Sequence, residues 1–179
     1  MNSLLNLARR IDWLSDRFAG IAKWAVLAAC VISAGNAFVR YAFSISSNAM
    51  LEIQWYLFAL AVMFGAAQVL RVNEHVRVDV FYGLYPTRLK VIVDLLGLCL
   101  FLLPVMGYIA WLSLPYLMTM YVTQEVSSNA GGLIRWPVMA TIPIGLGLLL
   151  LQALAEIVKR IGWLLHRHEM DTHYERPLQ

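Results

Sequence analysis

The stretch VIVDLLGLCLFLLPVMGYIAWLSLPYLMTMYV, running from Val91 to Val122, decides the fold. It has 32 residues and one charge, Asp94. A helix needs about 20 apolar residues to cross a 30 Å hydrocarbon core. As one helix this run would be about 48 Å long at 1.5 Å per residue. Two short spans are excluded, because no polar turn interrupts it. It must tilt, kink or project beyond the bilayer. Pro104 and Pro115 stand eleven residues apart, three helical turns, and so share a face. Kinks are expected there.

Working outward, two more runs are long enough to span: Leu51–Leu70 and Pro137–Val158. The weakest run, Trp24–Phe38, reaches a full span, within about 21–39, only when Ile21 and Ala22, or Val39, are counted. The whole composition agrees. Hydrophobic residues are 60% of the 179 and charged residues 14%, against about 45–50% and 25% in a soluble domain. A soluble fold of this size has too little interior to hide so much apolar side chain. A soluble enzyme, a disordered chain and a nucleic-acid module are thereby excluded. The expectation is an all-α integral membrane protein. One four-helix membrane domain covers residues 1–165, with spans at 21–39, 51–70, 91–122 and 137–158. A polar cytoplasmic tail covers 166–179.

The N-terminus lacks the continuous apolar core of a secretory signal. Leu4, Leu7, Ile11, Leu14 and Phe18 recur at steps of three and four, one face of a helix. That pattern predicts an amphipathic interfacial helix ahead of the first span. Orientation follows from the basic residues. Twelve of the fourteen lie before span one, between spans two and three, or after span four; only Arg40 and Arg135 lie elsewhere. By the positive-inside rule both termini and the middle loop face the cytoplasm.

The spans carry little chemistry. Glu52 opens span two, Asp94 opens span three, and Glu156 closes span four with Lys159 and Arg160 at pairing distance along the helix. None is central, whereas ion and proton carriers place ionisable groups at mid-membrane. Ser33, Asn36, Gln68, Ser113, Thr119, Thr141 and Gln152 read as hydrogen-bonding glue between helices. The four histidines, His75, His166, His168 and His173, fall outside the spans, so no axial haem ligand is available. Cys30 and Cys99 form no CxxC. No cofactor, metal site or catalytic residue is expected. Small residues favour close helix contact: Ala29, Ser33 and Ala37 in span one, Ala61 and Gly65 in span two, Gly145 and Gly147 in span four.

The densest polar group is Asn73-Glu74-His75-Val76-Arg77-Val78-Asp79-Val80, directly after span two. Its valines fit either an extended segment or a helical face. Arg77 and Asp79 read as a surface anchor or as a charged latch that pairs internally or with a partner. Glu52 reads as an outer-face contact, with Arg40 across a short loop as a candidate partner.

Glu52, Phe64-Gly65 and His75-Val76-Arg77-Val78-Asp79 together resemble the small permease subunit (DctQ-like) of tripartite ATP-independent periplasmic (TRAP) transporters. Arg135-Trp136-Pro137 and Pro143-Ile144-Gly145 resemble that family's fourth span. Glu74 departs from the glycine expected before the histidine. The resemblance implies two protein partners, a large multi-span permease subunit and a periplasmic solute-binding protein, in the bacterial inner membrane. It implies that the large subunit holds the substrate and sodium sites and that this chain braces it. Glu52, Gly65, His75, Arg77 and Asp79 are then candidate subunit-interface residues. Substrates in such systems are typically organic acids. The stretch Ser128-Asn129-Ala130-Gly131-Gly132-Leu133 resembles members linked with carboxylate uptake. The alternatives are a self-contained small oligomeric transporter, which would need a central acid, and a membrane enzyme or redox anchor, which would need intramembrane histidines or reactive cysteines.

Overall fold

The computed structural model describes residues 2–45, 47–73, 82 and 84–166. They form α1 (Asn2–Phe43), α2 (Asn48–Val72), α3 (Thr87–Gly97), a π-helical turn (Leu98–Leu102), α4 (Leu103–Thr123) and α5 (Trp136–Leu164). The α3–π–α4 series runs on as one rod. Four helices are thus long and apolar enough to cross a membrane. Among the described residues there is no strand, only one isolated bridge between Val126 and Ile134. The all-helical, four-span architecture expected from the apolar runs is the one observed.

Residues 2–20, expected as a separate amphipathic helix, are instead the first half of α1. Nothing in the sequence stops the helix. It holds no proline, and a lone glycine such as Gly20 costs only about 1 kcal/mol against alanine. With 42 residues, α1 is about 63 Å long at 1.5 Å per residue. Its buried stripe is made of small side chains: Ala8, Ser15, Ala19, Ala22 and Ala25. Of the apolar face read from the sequence, Leu14 and Phe18 pack towards α2, while Leu4 and Leu7 stay exposed.

The kink expected at Pro104 takes a specific form. Proline has no N–H to give the carbonyl four residues back, and its ring crowds that turn. The helix widens just ahead of it, and the Leu103 N–H bonds to the Leu98 carbonyl, five residues back. Pro115 lies inside α4, which stays helical through it.

The central helix is α5, which contacts α1, α2 and α4, whereas α4 packs chiefly on α5. Between α1, α2 and α5 the core is Ala22, Phe64, Ala67 and Leu148, with Phe18 meeting Phe64 edge-to-face at 4.9 Å. Between α2, α5 and the long rod it is Leu70, Leu98, Leu146, Leu149 and Ala153. A Cβ on Gly145 would lie 2.6 Å from the Met63 Cβ and 2.7 Å from its carbonyl oxygen. Glycine there is what lets the α2 and α5 backbones touch. Gly147 has no neighbour within 4 Å and plays no such part. Ser33 and Ala37 are exposed, so the small-residue series of span one is not used inside the chain. Along α4, Tyr108, Trp111, Tyr116, Met118 and Val122 are exposed. A rod covered on one side only leaves a broad apolar face turned outward.

Candidate functional site

Two polar clusters tie the helices together, one at each end. At the first, Glu52 is 3% exposed although it carries a carboxylate. Its partners come from the α4–α5 connection. The Ser127 hydroxyl donates to Oε1, the Asn129 amide donates to Oε1 at 2.7 Å, and the Leu133 N–H donates to Oε2 at 2.7 Å. That connection is a small hairpin. The Ser127 N–H bonds to the Leu133 carbonyl at 3.0 Å, and the Arg135 N–H to the Glu125 carbonyl at 2.9 Å. Its turn closes with the Gly132 N–H on the Asn129 carbonyl at 2.9 Å. Gly131 has φ +71°, and a Cβ on Gly132 would lie 2.6 Å from the Ser127 Cβ. Both positions therefore require glycine. Asn48 and Tyr56 of α2 add bonds to the Ala130 and Ile134 carbonyls at 3.2 and 3.3 Å. Arg135 pairs with Glu125 at 2.8 Å. That hydrogen bond raises the Arg135 pKa above its ordinary value.

At the other end α1, α2, α3 and α5 converge. Ser15 donates to Gln152 Oε1 at 2.7 Å, and Gln152 Nε2 donates to Asp12 at 2.8 Å and to Glu156 at 3.1 Å. Ser15 and Gln152 are fully buried. Lys159 pairs with Glu156 and, at 3.1 Å, with Asp12. Arg160 holds Glu156 at 2.5 Å and Asp94 at 3.4 Å. Asp94 also accepts from Tyr82 at 3.1 Å. Arg71 pairs with Asp16 and donates to the Asp12 carbonyl at 3.4 Å, while Gln68 donates to Asp16 at 3.4 Å. Each acid holds at least one cation, which is how charges persist in a poorly solvated place. Among the described residues no three His, Cys, Asp or Glu side chains converge as a metal site.

The sequence-predicted residues divide as follows. Glu52 is placed and buried, but against the hairpin and not against Arg40, which is exposed. A Cβ on Gly65 would stand 4.0 Å from the Ala22 Cβ, so Gly65 faces α1 within the chain. His75, Arg77 and Asp79 lie outside the described residues. The Glu156–Lys159–Arg160 pairing is present as its spacing predicts. Gln152 and Gln68 do bond between helices. Ser113, Thr119 and Thr141 instead bond carbonyls three or four residues back in their own helices. Sequence reasoning missed Asp12 and Ser15 as partners of α5, and Ser127, Asn129 and Leu133 as partners of Glu52. Four-residue steps inside one helix are visible in a sequence; contacts across 75 to 140 residues leave no such mark.

Helices of this length, apolar outward and polar chiefly towards their ends, define a multi-pass membrane protein. The family described as tripartite ATP-independent periplasmic transporters, DctQ component, matches the chain over residues 29–162. The chain therefore belongs to that family, whose members are transporter components and not enzymes. No curated protein and no solved structure matches it.

Proposed function

We propose that this chain is the fixed small subunit of a TRAP transporter. It braces a large permease subunit during sodium-coupled, binding-protein-dependent uptake of an organic acid. One observation supports this beyond the family. The charged groups of the two clusters are held by the chain's own side chains, while apolar faces such as that of α4 are left for lipid or a partner. A carboxylate carrier instead directs positive groups or helix N-termini at a midplane site. The large subunit and the solute-binding protein are the partners on this reading. His75, Arg77 and Asp79 are proposed to contact the large subunit. Glu52 is proposed to act through the hairpin that it holds.

The orientation belongs to the same proposal. Both termini face the cytoplasm of a bacterial cell, and the chain lies in the inner membrane. Reporters fused at each terminus should both give cytoplasmic signals. A periplasmic signal from either would reverse the topology.

The test of function is reconstitution. Vesicles holding this chain alone should show no sodium-driven uptake of an organic acid. Uptake should appear when the large subunit and the binding protein are added. Accumulation by this chain alone would replace the bracing role with the small-oligomer reading.

A further inference from the structure

The side of α1 turned away from its buried alanine stripe carries Arg10, Trp13, Arg17, Ile21 and Trp24. They follow one another at steps of three, four, four and three, so they share one face of the helix. All five are exposed, Trp13 at 58% and Trp24 at 72%. Gly20 adds no side chain beside them, and nothing lies within 4 Å of where its Cβ would stand. The two acids of this stretch are neutralised from within the bundle, Asp12 by Lys159 and Asp16 by Arg71. Arg9 stands three residues from Asp12, yet it bonds to Asn6. Among the described residues no acid pairs with Arg9, Arg10, Arg17 or Lys23. The acids are taken inward and the cations are left outside.

The order along the helix axis says what fits this face. Asp16 pairs with Arg71, which lies in the last turn of α2. Arg17, Trp13 and Arg10 therefore stand level with the end of that span or beyond it. Ile21 and Trp24 flank Ala22, which packs in the apolar core with Phe64. Within one turn the face passes from cationic to apolar, as a bilayer passes from headgroup to acyl chain, and an indole suits that boundary. The Arg17 guanidinium lies over the Trp13 ring, 5.0 Å from its centroid. Stacking of this kind engages the flat face of the guanidinium and leaves the N–H fork at its edge open to an oxyanion. A phospholipid joins an oxyanion to a long acyl chain in this same order. The ammonium of a zwitterionic headgroup would find no unpaired acid on this face, so a net anion is favoured.

We propose that this face of α1 seats one anionic phospholipid of the phosphatidylglycerol class. Its phosphate oxygens accept from Arg17 and Arg10, its glycerol backbone lies beside Trp13, and the upper part of an acyl chain runs past Gly20 along Ile21 and Trp24. The two arginines are seven residues apart, about 10.5 Å at 1.5 Å per residue, and their flexible arms can close on one headgroup between them. The seat needs only that the chain spans a membrane. It holds whichever leaflet this end faces, so the inference stands apart from the transporter reading.

The test uses the full chain, extracted from membranes containing both phosphatidylethanolamine and phosphatidylglycerol and weighed intact by native mass spectrometry. The wild-type chain should retain one phosphatidylglycerol in preference to phosphatidylethanolamine. The double variant Arg10→Gln with Arg17→Gln should retain at least about tenfold less of it. Both side chains are exposed and hold no acid, so this variant should unfold at the wild-type temperature when no lipid is added. Arg88→Gln removes an exposed cation from α3 and should leave retention unchanged. Adding phosphatidylglycerol back should raise the unfolding temperature of the wild type and of Arg88→Gln, but not of the double variant. Equal retention of the two lipids, an equal loss in Arg88→Gln, or equal stabilisation by inorganic phosphate alone would overturn the seat. Loss of the lipid on assembly with the large subunit would also overturn it, giving the face to a protein partner.

Discussion

Arg160→Met should destabilise the chain by about 3 kcal/mol, the lower end of the 3–5 kcal/mol seen when one partner of a buried ion pair is removed. The guanidinium is 6% exposed and holds Glu156, which is 4% exposed, and Asp94, which is 18% exposed. Methionine fills much of the same volume and offers neither acid a donor. Lys159 still reaches Glu156, which is why the lower end is expected. The double variant Glu156→Leu with Arg160→Met removes both charges of the closest pair. Replacing a buried pair with apolar side chains is often neutral or stabilising, so the double variant should recover at least about 1 kcal/mol relative to the single one. Denaturant unfolding in micelles, followed by tryptophan fluorescence, measures both. A single variant as stable as the wild type would show that Arg160 is solvated. A double variant whose losses simply add would show that Glu156 is held by Lys159 and Gln152 with no help from Arg160.

What was legible in the sequence separates cleanly by range. The spans were legible because lipid demands a long apolar run, and the 32 residues from Val91 admit no other reading. The Glu156–Lys159–Arg160 cluster was legible because one helix brings those positions together by itself. The place of Asp12 was not. Reading the first twenty residues as a separate interfacial helix assigns Asp12 to solvent and Ser15 to a polar face. Their bonds to Gln152 exist only because α1 continues unbroken and packs along α5. Helix register of that kind is set by close approaches such as Gly145 against Met63. Glycine in a span marks such a site, but Gly147, two residues on, meets nothing, and the letters alone do not distinguish the two. The π turn shows the same limit. Pro104 announces a disturbance of the helix, but the letters do not say whether the backbone bends or, as here, widens.

Glu52→Gln should release the α4–α5 hairpin from α2 and lower uptake by the assembled transporter. The substitution keeps size and shape, so it tests the hydrogen bonds and the charge alone. Both carboxylate oxygens accept: Oε1 from Ser127 and Asn129, Oε2 from the Leu133 N–H. Glutamine has one oxygen and one NH2 group; with its oxygen kept on the Leu133 N–H, its NH2 meets Ser127 and Asn129, which must turn the hydroxyl and flip the amide to accept it. The variant therefore loses the negative charge that strengthens all three bonds and forces two of its partners to reorient, a larger change than its shape suggests. The hairpin retains its own cross-links, Ser127 to Leu133 and Arg135 to Glu125. It should detach as a unit and not unfold residue by residue. The Leu133 amide should then exchange its hydrogen about ten- to a hundredfold faster, the range for losing a bond to a charged acceptor. The amides within α2 and α5 should be unchanged, because Gly145 and the leucine core still hold those helices. Glu52→Asp retains both oxygens on a shorter arm and should fall between wild type and Gln. Arg40→Gln, by contrast, should have no effect on hairpin exchange, since Arg40 is exposed at the end of α1 and takes no part in holding Glu52. Faster exchange at Leu133 with uptake intact would leave Glu52 a purely local brace. Unchanged exchange would mean that water already serves the hairpin as well as the carboxylate does, and Glu52 would lose its place among the functional residues.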